Sequence, residues 1–402
     1  MARAEIPRRL DELTPAWLTG ALRARGLLGG GRVAAARVDR IGDGVGYTGQ
    51  VARAHLDLDG DAASRGAPAT LIVKLPTLER RVRGAAEMLG AYEREIRFYE
   101  ELAPGFPVRV PRCYFAAMDP GAKPGTDVRM ARFLERLPPR VLSGFLRFAQ
   151  WLTGYSRRRF VLLLEDLAPA HPGDQVAGCS HESATAVLAA MATMHAAFWN
   201  ERGLDHLPWL ARVDVAPRLG HTLFRRARPA FDRLYGARLP AHCHALAGWL
   251  DRHALALGEA LAARPFTLLH GDLRLDNIFF GPEGATFADW QSLARGPALY
   301  DVAYFVTATL PPSARGEEEI ALLESYHRTL VAAGVESYDL ASCRLDYERA
   351  RLMTLARLIS VGDTIEFETP RARSLIEGWI ERLTTRLAGV DPDRLLPAAV
   401  AT

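Results

Sequence analysis

Cysteine is scarce in this chain of 402 residues. Its four cysteines, Cys113, Cys179, Cys243 and Cys343, show no C-x-x-C spacing. The sequence therefore predicts neither a zinc site nor a disulfide framework, and reduced thiols in a cytoplasmic protein are the simpler interpretation.

Long hydrophobic runs and an excess of one charge are also missing. No uninterrupted apolar run approaches the roughly 18 residues that a membrane span requires, and the first residues lack the apolar segment of a signal peptide. Lys and Arg number 50 against 47 Asp and Glu, which gives a formal charge of +3. We therefore expect a soluble cytoplasmic protein, a monomer or homodimer, with neither a membrane nor a nucleic acid as partner.

The two halves of the chain differ in their predicted secondary structure. The first half alternates like strands around one main helix over 85–102, and the second half is mostly helical, notably over 241–262 and 317–388. The strand-like segments are 33–41, 50–58, 71–75, 108–118 and 160–164. This pattern predicts an α+β protein with a β-rich N-terminal lobe, residues 1–165 with a basic insertion at 120–160, and a helical C-terminal lobe, residues 166–402.

The most informative motif runs from His270 to Asn277 and reads H-G-D-x-x-x-x-N, with Asp289 twelve residues after the Asn. Phosphoryl transfer from a nucleotide requires a carboxylate that accepts the proton of the acceptor hydroxyl, which is Asp272 here. It also requires an Asn and an Asp that hold the metal ions on the phosphates, which are Asn277 and Asp289. The motif therefore predicts a kinase-type active site.

A glycine-rich hairpin in the first half is a candidate for binding the nucleotide phosphates. Gly44, Val45, Gly46 and Tyr47 join two strand-like segments, and glycine lets backbone N–H groups approach phosphate oxygens closely. A glycine-rich hairpin is structural more often than not. Its place before Lys74 is what favours the functional interpretation.

Lys74 lies in the middle of the apolar strand 71–75. An unpaired ammonium is costly to desolvate, so the lysine either reaches solvent from an edge strand or pairs with a carboxylate. We predict that it binds the nucleotide phosphates and pairs with Glu95 of the following helix, with Glu93 as the alternative.

The segment 162–167 reads as a strand that leads into an interlobe hinge. There the backbone around Glu165 and Leu167 would hydrogen-bond the adenine or guanine ring. The segment D-W-Q is residues 289–291. The chain thus contains, in the order typical of kinases, a glycine loop, a strand lysine, a helix glutamate, a hinge, H-G-D-x-x-x-x-N and D-W-Q.

On these residues the chain resembles the aminoglycoside phosphotransferase and choline kinase superfamily, with a protein-kinase-like two-lobe fold. Gln291, together with the segment 296–304, is similar to the ecdysteroid-kinase-like (CHK) branch. The resemblance implies ATP or GTP as donor, Mg²⁺ as cofactor, Asp272 as base and Asn277 and Asp289 as Mg²⁺ ligands. It also implies that Lys74 binds the nucleotide phosphates and that Asp301 anchors the catalytic loop.

Two features argue against a protein kinase. Gly271 replaces the arginine that reads a phosphorylated activation loop in protein kinases, and only twelve residues separate Asp289 from Asp301. No A-P-E motif follows. The sequence therefore favours a small-molecule acceptor.

The acceptor stays open at this stage. Residues 168–262 contain eight acidic and nine basic residues, which favours a neutral or amphipathic alcohol over a polycation. Asp363, Glu366 and Glu368 keep an aminoglycoside or other antibiotic as the alternative. A nucleotide-binding regulator without turnover is the second alternative.

The basic insertion allows two interpretations. Residues 121–160 contain nine Lys or Arg against two acids, and this charge would suit either a flap that recruits an anionic acceptor or an amphipathic helix with a solvated arginine face. The helix is the simpler of the two.

Overall fold

The computed structural model describes residues 5–41, 49–60, 66–121, 126–314, 316–361 and 370–397. The chain forms two compact units. Unit 1 contains Met1–Ala122, Leu146–His171 and Thr286–Gln291, and unit 2 contains Lys123–Phe145, Pro172–Ala285 and Ser292–Thr402. The boundary predicted after residue 165 stays a prediction, and the basic insertion is divided between the units.

Unit 1 is built on a five-stranded antiparallel sheet in the order β1-β2-β3-β5-β4. Its strands are β1 (Arg32–Arg40), β2 (Gly49–Asp59), β3 (Thr70–Pro76), β4 (Cys113–Met118) and β5 (Phe160–Glu165). Four of the five predicted segments are confirmed. The segment predicted over 108–118 is β4, which begins only at Cys113. This later start agrees with Pro107 and Pro111, which cannot donate a backbone hydrogen bond to a sheet.

The predicted helix over 85–102 is wrong in its bounds. Helix α1 (Pro15–Ala24) precedes the sheet, and α2 (Arg80–Met88) and α3 (Ala91–Arg97) follow β3. Glu79 starts α2, because its carboxylate accepts hydrogen bonds from the backbone N–H groups of Arg81 and Val82. Gly90, with φ of +68°, separates α2 from α3, and a π-helical turn over Phe98–Leu102 continues α3.

Unit 2 is mostly helical, as the sequence predicted for the C-terminal part. Helix α5 (Pro139–Thr153) begins among the residues of unit 2 and ends among the residues of unit 1. The helices after α3 are α4 (Thr126–Leu134), α5 (Pro139–Thr153), α6 (His181–Ala197), α7 (Pro217–Tyr235), α8 (Ala241–Ala262), α9 (Leu299–Thr309), α10 (Gly316–Ala332), α11 (Leu340–Val361) and α12 (Pro370–Arg386).

Short strands complete the fold. They are β6 (His171–Pro172), β7 (Ala211–Arg212), β8 (Phe266–Leu269), β9 (Ile278–Gly281), β10 (Gly284–Phe287) and β11 (Ala294–Pro297). Strand β11 pairs with β7 in parallel and with β8 in antiparallel orientation. The H-G-D-x-x-x-x-N motif, residues 270–277, is the candidate catalytic motif. It forms the connection between β8 and β9, so strands hold both of its ends.

The main core of unit 2 fixes the helices that surround this connection. Phe231 of α7, Trp249 of α8, Leu355 of α11 and Leu383 of α12 are buried in one cluster that also contains Tyr304 of α9. Burial of such side chains stabilises the arrangement by about 1.5–3 kcal/mol each. None of the helices in the described part of the chain combines the length and the apolar character needed to cross a bilayer.

Candidate active site

Lys74 is the centre of a charged group in unit 1, in which Glu95 is buried and Lys74 and Asp289 are partly buried. Its ammonium lies 2.6 Å from Oε1 of Glu95 and 2.7 Å from Oδ1 of Asp289. Glu93, the alternative partner, instead pairs with Arg97 at 3.0 Å and Arg158 at 2.9 Å. The ion-pair partner of Lys74 is thus Glu95 rather than Glu93. Lys74, Glu95 and Asp289, which are separated in the sequence, lie together.

The charges in this group do not balance. Burial lowers the pKa of Lys74, but Asp289 and Glu95 together raise it above its usual value, so the lysine is charged. Burial, together with the nearby charge of Asp289, raises the pKa of Glu95 above its usual value although Lys74 lowers it. Two carboxylates share one ammonium, and the group therefore favours the approach of a further cation.

The D-W-Q segment holds Asp289 in an uncommon conformation. Its φ of +66° is left-handed, and few residues other than glycine adopt this region without a structural reason. The buried Trp290 ring stacks on Phe98 with 4.3 Å between ring centroids, which fixes the segment against the π-helical turn. Gln291 donates from its amide to Oδ2 of Asp289 at 3.3 Å and so orients the carboxylate.

The remaining nucleotide-binding predictions stay predictions. Gly44, Val45, Gly46 and Tyr47 lie outside the described residues. Glu165 ends β5, where its N–H donates to the carbonyl of Arg112 at 2.8 Å and its carboxylate accepts from the N–H of Arg112 at 3.0 Å. The carbonyl of Leu167 accepts from Ala170 at 2.8 Å.

In unit 2 the catalytic motif is held by Asp301 of α9. Its buried carboxylate accepts from the backbone N–H of His270 at 2.6 Å and of Gly271 at 2.9 Å. His270 is fully buried, in agreement with a packing role. Gly271 has a φ of +77°, and a Cβ there would lie 2.0 Å from the carbonyl oxygen of Ser292. Glycine is thus required at this position by the backbone itself.

Asp272 is surrounded by hydrogen-bond donors. Tyr304 donates its hydroxyl to Oδ1 at 3.1 Å, and Nη2 of Arg357 lies 3.1 Å from the same oxygen. Nε of Arg274 lies 3.4 Å from Oδ2. The amide nitrogen of Asn277 donates to the carbonyl of Asp272 at 2.9 Å and to Oδ2 at 3.2 Å. The structure therefore brings two predicted site residues, Asp272 and Asn277, together in unit 2.

These neighbours set the charge of Asp272. Burial raises the pKa of its carboxyl, but Arg274 and Arg357, with smaller contributions from His270 and Tyr304, lower it, and the net result is a pKa below the ordinary value. The carboxylate is therefore ionised at neutral pH and able to accept a proton.

Sequence reasoning missed Arg357 and assigned no role to Tyr304 or Arg274. Arg274 stands inside the quoted motif and Tyr304 lies three residues after Asp301, so position gave a signal for these two. Arg357 lies on α11, 85 residues after Asp272, and belongs to no motif. Its guanidinium also covers the Tyr304 ring at 4.2 Å from the ring centroid.

The two residues predicted as metal ligands, Asp289 and Asn277, lie in different units, and their role as ligands stays a prediction. Among the residues that the structure describes, no group of three His, Cys, Asp or Glu side chains could hold an ion by itself. Mg²⁺ in kinases needs only one or two protein oxygens in addition to phosphate and water. Asp289 has a carboxylate in unit 1. In unit 2 the amide nitrogen of Asn277 donates to Asp272, so the side-chain oxygen of Asn277 is not the atom that makes these hydrogen bonds.

Solved structures of similar fold include two kinases. A choline kinase from Cryptosporidium parvum Iowa II superposes with a TM-score of 0.52 at 10% identity, over 92% of this chain and 94% of that chain. An amicoumacin kinase in complex with AMP-PNP, Ca²⁺ and Ami superposes with a TM-score of 0.50 at 10% identity, over 89% of this chain and 91% of that chain. These likenesses confirm the predicted α+β fold of protein-kinase-like type.

The family of the chain follows from the match of a family model to most of its length. No curated protein matches this chain significantly. The model of the phosphotransferase enzyme family, APH, matches residues 61–345, which is well over half of the chain. The predicted superfamily is thereby confirmed. The chain belongs to the phosphotransferase enzyme family and is a small-molecule phosphotransferase.

Proposed function

We propose that this enzyme transfers the γ-phosphate of ATP or GTP to a hydroxyl group of a small molecule in a Mg²⁺-dependent reaction. One observation carries the proposal: the Lys74 ammonium is shared between Glu95 and Asp289 within hydrogen-bond distance. A lysine and a glutamate paired beside a metal-binding aspartate is the arrangement that positions nucleotide phosphates in kinases. The AMP-PNP and Ca²⁺ complex of the amicoumacin kinase supports a nucleotide and a divalent cation as ligands.

Each residue has one role in this proposal. Lys74 binds the phosphates, and Glu95 holds the lysine in place. Asp289 and Asn277 are the protein ligands of Mg²⁺, which neutralises the charge on the phosphates when it is bound. Asp272 accepts the proton of the acceptor hydroxyl, which makes the oxygen a better nucleophile.

The surroundings of Asp272 favour a neutral or amphipathic alcohol as acceptor. Arg274 and Arg357 both lie beside the carboxylate, and their positive charge would repel the ammonium groups of an aminoglycoside. The acids Asp363, Glu366 and Glu368, which suggested an antibiotic acceptor, lie outside the described residues. Gln291, which donates to Asp289, favours the ecdysteroid-kinase-like branch.

The test is a phosphotransfer screen with ATP and GTP against hydroxylated metabolites, steroids, choline-like alcohols and aminoglycosides. Asp272→Asn keeps a hydrogen-bond acceptor for Tyr304 but removes the negative charge, so turnover should fall by about 10²-fold or more. Nucleotide binding, measured by thermal shift, should be largely retained because Lys74, Glu95 and Asp289 are unchanged. Glu324→Gln, which alters only an exposed pair with Arg344, is the matched control and should be fully active.

Three outcomes would contradict the proposal or its choice of acceptor. Full activity of Asp272→Asn would exclude Asp272 as the base. Nucleotide binding without turnover for every acceptor would instead support the nucleotide-binding regulator. Phosphorylation of aminoglycosides in preference to uncharged alcohols would establish the antibiotic acceptor and overturn the charge argument from Arg274 and Arg357.

A further inference from the structure

One face of α5 is apolar and exposed to solvent. Val141, Phe148, Trp151, Leu152 and Tyr155, which follows the helix end, are 54%, 57%, 59%, 55% and 51% exposed. Val141, Phe148, Leu152 and Tyr155 are spaced seven, four and three residues apart, which places them on one side of a helix, and Trp151 lies next to them. We call these five residues the aromatic stripe.

The opposite face of α5 is packed, so the outward direction of the aromatic stripe is determined. Leu146 is buried, and Thr153 donates to the carbonyl of Gly84 on α2 at 2.8 Å. A Cβ at Gly84 would lie 2.1 Å from the carbonyl oxygen of Gln150. This close backbone approach requires glycine and fixes the rotation of α5 against α2.

The exposed apolar residues are concentrated rather than scattered. Of the 14 large hydrophobic side chains that are exposed in the described part of the chain, seven lie between residues 130 and 155. Single exposed hydrophobic residues are normal on protein surfaces, but contiguous patches mark interaction sites. Two ring contacts make the patch contiguous, since the ring centroid of Trp151 lies 5.9 Å from that of Phe148 and 5.2 Å from that of Tyr155.

Positive charge borders the aromatic stripe. Arg140 and Arg147 are exposed on α5 and form no ion pair with a described residue, and Arg80 lies over the Tyr155 ring at 4.8 Å. The acid Glu135 is engaged by the backbone N–H groups of Arg218 and Leu219. A second copy of this chain would bring like charges together, whereas an anionic surface would complement them.

We propose that the aromatic stripe of α5 docks this enzyme on the surface of a bilayer that contains anionic phospholipids. Tryptophan and tyrosine favour the membrane–water interface, and arginines beside an apolar helix face bind anionic headgroups. The helix lies in the interface and does not span the bilayer. The proposal replaces the expectation, made from the sequence, that a membrane is not a partner.

Vesicle binding by the full chain tests the proposal. The protein should sediment with phosphatidylcholine vesicles that contain phosphatidylserine, more weakly with phosphatidylcholine alone, and less in high salt. The double variant Phe148→Ser with Trp151→Ser should lower the partition coefficient about tenfold or more. Arg147→Glu should lower it several-fold on anionic vesicles only. Leu234→Ser and Ile320→Ser, at residues 61% and 50% exposed on α7 and α10, are matched controls and should bind normally.

A fluorescence experiment identifies the residue that enters the interface. Brominated lipids should quench part of the tryptophan emission in the wild type, and Trp151→Phe should keep vesicle binding while losing that quenching. All variants should keep the wild-type melting temperature and nucleotide thermal shift, because the substituted side chains are exposed. Vesicle binding unchanged in the double variant, or no preference for anionic lipid, would overturn the proposal. A wild-type dimer that becomes monomeric in the double variant, without vesicle binding, would assign the stripe to self-association instead.

Discussion

Nη2 of Arg357 lies 3.1 Å from Oδ1 of Asp272, while Nη1 of the same side chain donates to the carbonyl of Gly271 at 2.6 Å. This two-point contact fixes the arginine against the catalytic motif. Since burial of Asp272 opposes its ionisation, the positive charges of Arg274 and Arg357 are what keep its pKa below the ordinary value. Arg357 is therefore a positioning residue whose charge also lowers the pKa of Asp272, the base that we propose.

Arg357→Ala should shift the pH dependence of the reaction. Loss of the positive charge raises the pKa of Asp272, because Arg357 is one of the charges that lower it, and the proposed base is active only when it is ionised. The acidic limb of kcat/KM against pH should therefore move to higher pH, with activity reduced most at the acidic end. Arg357→Lys should restore part of the shift. A uniform decrease at every pH, with the limb unmoved, would show that Arg357 acts through structure alone.

Gly271→Ala should destabilise the enzyme strongly. The added Cβ would meet the Ser292 carbonyl at 2.0 Å, and the backbone would be strained at φ of +77°. We expect a loss of about 3 kcal/mol or more in the free energy of unfolding. Gly284→Ala is the matched control, because Gly284 has a φ of +98° but nothing within 4 Å of its Cβ position, so only about 1 kcal/mol should be lost. Equal losses in urea denaturation would contradict the steric argument.

Much of the fold could be predicted from local sequence signals. Strands β2 and β3 alternate buried and less buried residues, and Thr14 caps α1 through a hydrogen bond to the N–H of Trp17. The break between α2 and α3 was missed because Gly90 lies within an otherwise helical pattern. A glycine in such a pattern is compatible with a continuous helix, and only its left-handed φ distinguishes the two cases.

The charged group of unit 1 was predictable because motif order along the chain fixes it. Lys74 and Glu95 were paired from a strand and a helix position, and the structure shows that contact. Arg357 could not be found in this way, since the packing of α11 against α9 in the unit 2 core brings it to Asp272. The left-handed backbone of Asp289 likewise has no local signal, and neither has the stacking of the neighbouring Trp290 on Phe98.

Lys74→Met should destabilise the protein in a pH-dependent way. Removal of the shared ammonium leaves Glu95 and Asp289 without their cation, which should cost about 3 kcal/mol at neutral pH. Burial already raises the pKa of Glu95, and loss of Lys74 raises it further. When the pKa of a carboxyl is higher in the folded than in the unfolded protein, the free energy of unfolding falls as the pH rises from the unfolded-state pKa through the folded-state pKa.

The loss in the free energy of unfolding of Lys74→Met relative to wild type should therefore be small near about pH 4 and largest near about pH 8. Urea denaturation at both pH values measures it. Lys74→Arg, which keeps the charge, should remove most of the pH dependence. A deficit that is equal at both pH values would mean that lost packing, rather than unpaired carboxylates, causes the destabilisation.

Substitutions at Asp289 should separate its charge from its backbone conformation. Asparagine tolerates the left-handed region, so Asp289→Asn should keep the φ of +66° and most of the stability. Because it lacks the negative charge, it should bind Mg²⁺ more weakly, with turnover reduced by about 10²-fold and a higher Mg²⁺ concentration at half-maximal rate. Asp289→Ala should lose both turnover and about 1–2 kcal/mol of stability, because alanine is strained in this conformation. A Mg²⁺ titration and a urea denaturation curve for each variant give the two quantities independently. An unchanged Mg²⁺ requirement in Asp289→Asn would exclude Asp289 as a metal ligand. Equal free energies of unfolding for Asp289→Asn and Asp289→Ala would show that the left-handed backbone imposes no constraint on the side chain.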